Sequence, residues 1–183
     1  MSKKKKKLGR IPKPKFRYDP EDIKEFILES NAIEGVLDLK SYKDALRAWF
    51  HLSSKRKLTL KTILDTHRLM MWNIAPKIAG KWRNCDVWIG GQRKIFVSES
   101  LIKDDISNFL LNMGVSPQLP IEDLERIVKE NHVKFEFIHP FVDGNGRVGR
   151  MLMNWQRLRL KMPIKIIHTG EEQWDYYRWF RGE

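Results

Sequence analysis

The 183-residue chain has 42% apolar and 11% aromatic side chains, enough for one packed core and too apolar for a disordered protein. No apolar run reaches membrane-spanning length, and the single cysteine, Cys85, excludes an internal disulfide. The formal charge is +12, but residues 1–17 hold nine basic side chains and no acid, while the rest holds 26 basic and 23 acidic ones, a balance of only +3.

The basicity therefore belongs to a tail, residues 1–18, broken by Gly9, Pro12 and Pro14 and expected to be disordered. Such a tail can bind nucleic acid or acidic surfaces, or be a solvated arm with no dedicated partner. It lacks the apolar stretch of a signal peptide, so the expected setting is cytoplasmic and off the membrane.

Asp19-Pro20, followed by Glu21 and Asp22, marks a helix start, with Ile23, Phe26 and Ile27 as its buried stripe. Helical spacing carries that stripe to Ser30 and Glu34, and Gly35 is a natural terminator. Two readings of Glu34 follow: a carboxylate aimed inward that needs a partner, or a solvated side chain beyond a frayed helix end. Residues 39–52 are a second predicted helix, with Leu39, Tyr42, Leu46 and Trp49 inward. Thr59 caps a third, through Ile63, Leu64, His67 and Met71, on which His67 reads as a satisfied core histidine rather than a ligand.

Val87-Trp88-Ile89, a turn over Gly90-Gly91-Gln92-Arg93-Lys94, and Ile95-Phe96-Val97 read as a β-hairpin. Ser98 caps a helix lined by Leu101, Ile102, Ile106, Phe109, Leu110 and Met113. Pro120 opens another, with Ile121, Leu124, Ile127 and Val128 inward, leading to His139. His132 lies seven residues before His139, but no group of ligands has zinc-site spacing. A helix through Met151, Leu152, Trp155 and Leu158, a break at Met162-Pro163 and a last helix over about 171–181 complete the chain. The predicted class is mainly helical, one domain over 19–183, with one small hairpin.

The segment from His139 to Arg150 carries the chemistry. Gly144-Asn145-Gly146 ahead of a helix can turn backbone N–H groups toward an anion, aided by the helix dipole. Arg147 and Arg150, in the first turn, oppose that dipole, which implies a polyanion or a protein carboxylate in front of them. Asp143 can hold a divalent cation and His139 can move a proton. The set reads as a phosphate-handling site.

His139 to Arg150 resembles the motif of the Fic family, H-x-F-x-D/E-G-N-G-R-x-x-R, at every specified position. Ser30 to Gly35 is similar to the family's inhibitory motif, Ser/Thr-x-x-x-Glu-Gly/Asn, which makes the stretch of about 20–34 an inhibitory helix. Residues 80–97 resemble the segment leading into its target-binding flap, here Val87, Trp88, Ile89, Gly90, Gly91, Ile95 and Phe96.

The resemblance implies a protein adenylyltransferase using ATP and Mg²⁺, acting on a Ser, Thr or Tyr hydroxyl of a target protein or of itself. His139 would be the general base and Asp143 the metal ligand. Gly144, Asn145 (side chain included) and Gly146 would cradle phosphates, Arg147 would serve the β-phosphate and Arg150 the γ-phosphate. Phe141 would anchor the loop. Tyr176 and Tyr177 fall where the family places aromatics beside adenine, a pattern that terminal-helix packing also produces. Ser30, Glu34 and Gly35 would form the inhibitory element, Glu34 pairing with Arg150. Gly146 stands where kinase-type relatives carry Lys, which favours AMP transfer. Alternatives are another nucleotide or phosphocholine donor, removal of AMP through Glu34, a nucleic-acid-associated protein using its tail, and an inactive module recruiting peptides to the hairpin. The bulky Trp174, Trp179 and Phe180 would pack on the body or form a self-association patch.

Overall fold

A computed structural model describes residues 18–89, 92–94, 98–114 and 117–181. The basic stretch 1–17 and the predicted flap residues Gly90, Gly91, Ile95 and Phe96 lie outside the described residues. The elements are α1 (Pro20–Ala32), α2 (Leu39–Ser53), α3 (Leu60–Met71), β1 (Val87–Ile89), β2 (Gln92–Lys94), α4 (Glu99–Asn112), α5 (Ile121–Ile138), α6 (Asn145–Arg159) and α7 (Glu171–Arg178). The mainly helical class with one hairpin is what the sequence predicts, and no described helix is long and apolar enough to cross a membrane.

Side-chain caps start four of these helices. Asp19 accepts the Glu21 N–H at 2.9 Å, Asp38 those of Lys40 and Ser41 at 3.0 Å, Thr59 that of Thr62 at 3.1 Å, and Ser98 that of Leu101 at 3.4 Å. The buried stripes then follow a 3.6-residue period: Phe26 and Ile27 on α1, Ala45, Ala48, Trp49 and Leu52 on α2, Ile102, Ile106 and Phe109 on α4.

Three positions predicted inward are exposed: Leu39, Leu101 and Ile121. Each lies in the first turn of its helix, where the rod protrudes past its neighbours, and on α2 and α4 the true stripe is rotated away from it. The hairpin also differs from expectation. Its register pairs Val87 with Lys94, Trp88 with Arg93 and Ile89 with Gln92, so residues 92–94 are the second strand rather than turn, and only 90–91 lie between the strands. A two-residue connection suits the strand twist better than a five-residue one. At the far end the last helix stops at Arg178, with 179–181 in a turn.

α6 is the axis of the molecule, packed against α1, α2, α3 and α5 and buried at Asn145 and continuously from Arg147 to Arg157. One apolar cluster lies on its α1–α4 side, around Trp49, Ile63, Met70, Phe135, Phe141 and Leu152. A smaller one, with Leu124, Val128, Met153 and Tyr176, receives Trp179 and Phe180 from the C-terminal segment, while Trp174 stays exposed. The charged first turn of α6 is therefore buried between two apolar bodies.

Candidate active site

The site begins where α5 ends. His139 takes a left-handed conformation, φ 50°, that terminates the helix while its N–H still bonds the Phe135 carbonyl at 3.1 Å. Its Nδ1 lies 3.1 Å from the Glu136 carbonyl. A carbonyl can only accept, so the proton sits on Nδ1 and the ring's basic lone pair is on Nε2.

The loop behind His139 is held by Arg83, which lies in the segment between α3 and β1. Arg83 is fully buried; its Nε donates to the His139 carbonyl at 2.8 Å, its backbone N–H to the Pro140 carbonyl at 2.8 Å, and its Nη1 to the Cys85 carbonyl at 3.1 Å. Phe141 is buried, its ring stacked on His67 at 3.8 Å and near Trp82 at 5.4 Å, as an anchor requires.

Asn145 departs from expectation. Its Oδ1 accepts the Phe141 N–H and its Nδ2 donates to the Phe141 carbonyl, both at 2.9 Å. The side chain is a two-bond clamp closing the loop on itself, so only its backbone N–H remains for a phosphate. Asn145 and Gly146 are also the first helical residues of α6 rather than a loop ahead of it; Gly144, φ 81°, is the cap residue. A Cβ on Gly144 would stand 3.0 Å from Met70 and Met71, so both backbone sign and space demand glycine.

No side chain caps α6. Beside that start Asp143 is 59% exposed, its Oδ1 accepting the Gly144 N–H at 2.5 Å and lying 3.9 Å from Arg147 Nη2. Arg147 is buried, with Nη2 on Met71 Sδ at 3.2 Å, yet its Nε and Nη1 have no hydrogen-bond partner among the described residues. Burial pushes its pKa down, against the pull of Asp143 and Glu34. A buried guanidinium with idle donors is costly unless an anion completes it.

Arg150 is the opposite case. Its Nε donates to Ser30 Oγ and its Nη2 to the Ser30 carbonyl, both at 2.9 Å; Nη2 also meets Glu34 Oε1 at 2.7 Å, and Nη1 meets the Tyr176 hydroxyl at 3.3 Å. Both readings of Glu34 contain part of the answer. α1 does end first, at Ala32, and Glu34 sits in the following turn, closed by Gly35 at φ 68°. That turn aims the carboxylate back over α6 instead of into solvent, leaving the side chain 34% exposed. The missing Cβ of Gly146 makes the room: a methyl there would overlap Glu34 Oε1.

Three further buried groups surround Arg150. His132 Nε2 lies 2.9 Å from the Tyr176 hydroxyl, and burial with the Arg150 charge pushes the imidazole down to about 3, so it stays neutral. Tyr176 is buried among His132, Trp179 and Phe180, a packing and Arg150-supporting position, whereas Tyr177 is half-buried with its hydroxyl accepting from Gln173. Glu136 is fully desolvated, which with nearby Glu34 outweighs Arg150 and raises its carboxyl to about 8. It occupies the space left by Gly149, where a Cβ would overlap it.

The hairpin follows the Arg83 segment, with Val87 buried and Trp88 exposed. The structure thus gathers Ser30, Glu34, His139, Asp143, Gly144 to Arg147 and Arg150 at the start of α6. It adds His67 and Arg83, for which a histidine on a stripe and an arginine after Gly80-Lys81-Trp82 were the only local signals.

The helical domain thus gathers a histidine, a carboxylate and two buried arginines around one loop at a helix start, an arrangement suited to an anion. The Fic/DOC family model matches residues 57–156, and the chain belongs to that family. It is 29% identical over 155 residues to Protein adenylyltransferase Fic of Nematostella vectensis, covering 84% of this chain and 34% of that protein. Its namesake in Drosophila virilis is 32% identical over 130 residues, 71% of this chain and 26% of that one. The chain thus spans only about a quarter to a third of these relatives. Among solved structures, Fic-1 of Caenorhabditis elegans superposes with TM-score 0.69 at 23% identity over 86% of this chain and 54% of that one. A Fic domain containing signaling protein of Bacteroides thetaiotaomicron gives 0.67 at 21% identity, over 88% and 74%, so the fold is shared.

Proposed function

We propose that this chain is a protein adenylyltransferase, moving AMP from ATP to a Ser, Thr or Tyr hydroxyl, and that Glu34 holds it off. The observation that carries the reading is Arg147, buried at the uncapped start of α6 with Nε and Nη1 unpaired among the described residues. A polyphosphate satisfies those donors, and the named relatives supply the identity of the transferred group.

In the reaction His139 Nε2 takes the hydroxyl proton as the target oxygen attacks the α-phosphorus. The oxygen–phosphorus bond forms, the bond to the bridging oxygen breaks, and pyrophosphate leaves while AMP stays on the target. Arg147 and the first N–H groups of α6 face the β-phosphate side, and Arg150 takes the γ-phosphate once Glu34 withdraws. The exposed Asp143 is the side chain that would hold a divalent cation, and no group of three candidate metal-ligating side chains exists among the described residues. That suits Mg²⁺, which keeps waters and phosphate oxygens and would neutralise polyphosphate charge. Tyr177 is the better placed of the two tyrosines to meet a base, since Tyr176 is covered. The hairpin receives the target segment by strand pairing.

Residues 19–183 are read as one Fic domain and 1–18 as a basic arm able to hold nucleic acid or acidic surfaces. Cytoplasmic residence and self-association through the exposed Trp174 belong to the same reading.

The test is labelling of the protein itself, wild type against Glu34→Gly and Glu34→Gly/His139→Ala. Label is expected from α- but not γ-labelled ATP, stronger in Glu34→Gly and absent in the double variant, with GTP, UTP and CTP as comparisons. Transfer from γ-labelled ATP refutes AMP transfer, and equal labelling of wild type and Glu34→Gly refutes autoinhibition. A second reading rests on Glu34 being one-third exposed with its Oε1 on Arg150. The carboxylate can then orient water to remove AMP, so wild type, but not Glu34→Gly, would strip a modified target.

A further inference from the structure

His67 is fully buried on α3, and both ring nitrogens are used across long sequence separations. Nδ1 accepts the Gly80 N–H at 2.9 Å, and Nε2 faces the Asp143 carbonyl at 3.0 Å. An amide N–H can only donate and a carbonyl can only accept, so the ring is fixed as the neutral Nε2–H tautomer.

The ring's face is stacked on Phe141, 3.8 Å between centroids and 4° from parallel. Its Cδ2 lies 3.4 Å from where a Cβ on Gly144 would stand. One side chain thus bounds positions 141, 143 and 144 of the loop without belonging to the motif. Its other end is equally constrained. Gly80 has φ 70°, and a Cβ there would stand 2.7 Å from Arg68 Cβ, so the position requires glycine. From Gly80 the chain runs through Trp82, beside Phe141, and Arg83, on the His139 carbonyl, into β1.

We propose that His67 is a positioning residue for Asp143: a two-ended tie that fixes the Asp143–Gly144 turn against the segment leading to the hairpin, and so presets the metal-binding carboxylate. The inference rests on the phosphate and Mg²⁺ reading above for its consequence, though not for the geometry. Holding the Asp143 carbonyl fixes the peptide plane whose N–H closes on Asp143 Oδ1, leaving the carboxylate few orientations. Partners one step behind a metal ligand typically change metal affinity 10–100-fold when lost.

The test uses the full chain with Glu34→Gly, which removes the competing carboxylate, and compares three substitutions. His67→Phe keeps the stacking and loses both hydrogen bonds. His67→Gln places an amide donor near the Nε2 position, and His67→Asn places an acceptor near Nδ1 only. Two readouts are taken: Mn²⁺ affinity in the presence of ATP, and hydrogen exchange over residues 141–147 without nucleotide.

His67→Phe is expected to weaken Mn²⁺ binding about tenfold or more and to speed exchange over 141–147, with His67→Gln recovering most of both and His67→Asn little of either. Unchanged exchange and affinity in His67→Phe overturn the proposal, and so does recovery by Asn equal to recovery by Gln. If His67→Phe does not fold, the Gln–Asn difference carries the comparison. Should the protein with His67 intact bind no Mn²⁺ and ATP, the phosphate reading fails, and the exchange pattern alone still decides whether His67 positions the turn.

Discussion

The two flanks of the α6 N-terminus are built on different terms. On the α3 side, His67, Arg83 and the Asn145 amide hold backbone groups of residues 139–143 through buried hydrogen bonds that offer no exchangeable ligand. On the α1 side, Arg150 is held by Ser30 and by Glu34, whose carboxylate has the chemistry of the phosphate it would mimic. α1 itself is tied to the 168–172 segment by exposed contacts, Glu25 to His168 at 3.0 Å and Glu29 to the Thr169 N–H at 2.9 Å. One flank is a frame and the other, on the proposed function, a stopper. The contrast matches the two arginines: Arg147 has the Asp143 carboxylate only at 3.9 Å and two nitrogens unpaired among the described residues, while Arg150, three residues on, is met by Glu34 at 2.7 Å.

That contrast can be broken in order of consequence. His139→Ala, measured as AMP incorporation in the Glu34→Gly background, is expected to lose about 10³-fold or more, since it removes the proposed base and not its support. Arg83→Ala strips the His139 and Cys85 carbonyls of a buried partner. A loss of about 3 kcal/mol in denaturant unfolding is expected, with labelling lost too; a stable, fully active variant would show that the frame is not needed.

Glu136→Gln probes the centre between the flanks. Its folded pKa is raised from 4.5 to about 8, so the folded state holds a proton that the unfolded chain releases, and wild-type stability falls as pH rises across that window. Unfolding free energies at pH 5, 6.5 and 8 should show the alkaline decline reduced in Glu136→Gln, by on the order of 4 kcal/mol at pH 8. His132 acts with the opposite sign: its depressed pKa contributes stability lost as pH falls below 6.5 toward about 3.

Glu34→Gly should raise self-labelling about tenfold while changing stability by under about 1 kcal/mol, because Ser30 and Tyr176 keep Arg150 satisfied. A large stability loss would make Glu34 part of the frame. Smallest is His168→Gln. Glu25 and Glu172 raise the His168 pKa, so the tie is present at low pH and lost as pH rises through that raised value. Being exposed, it should contribute within about 0.5 kcal/mol, and basal labelling at pH 6 should rise by no more than about twofold.

Much of the framework is local and so was legible. Asp19, Thr59 and Ser98 cap where their side-chain chemistry predicts, because a cap needs only the next three residues. Leu39, Leu101 and Ile121 were misread because periodicity identifies an apolar face but not how far a neighbour covers it. The 92–94 strand was misread because Gln92, Arg93 and Lys94 carry no apolar alternation, and their pairing is set by the opposite strand.

The same division runs through the site. By itself the sequence determined the chemistry of the 139–150 segment: a base, a carboxylate, glycines at the helix start, two cations opposing a dipole, and the need for an anion. It also placed a carboxylate, Glu34, in line with a buried stripe. Tertiary structure alone decided which anion each cation receives and what holds the loop. Arg150 reaches Ser30 and Glu34 across more than a hundred residues, Arg83 reaches His139 across 56, and His67 reaches Asp143 across 76. Such partners depend on where packing sets two helices within ångströms of each other, and a buried hydrogen bond turns on a geometry that no local pattern encodes.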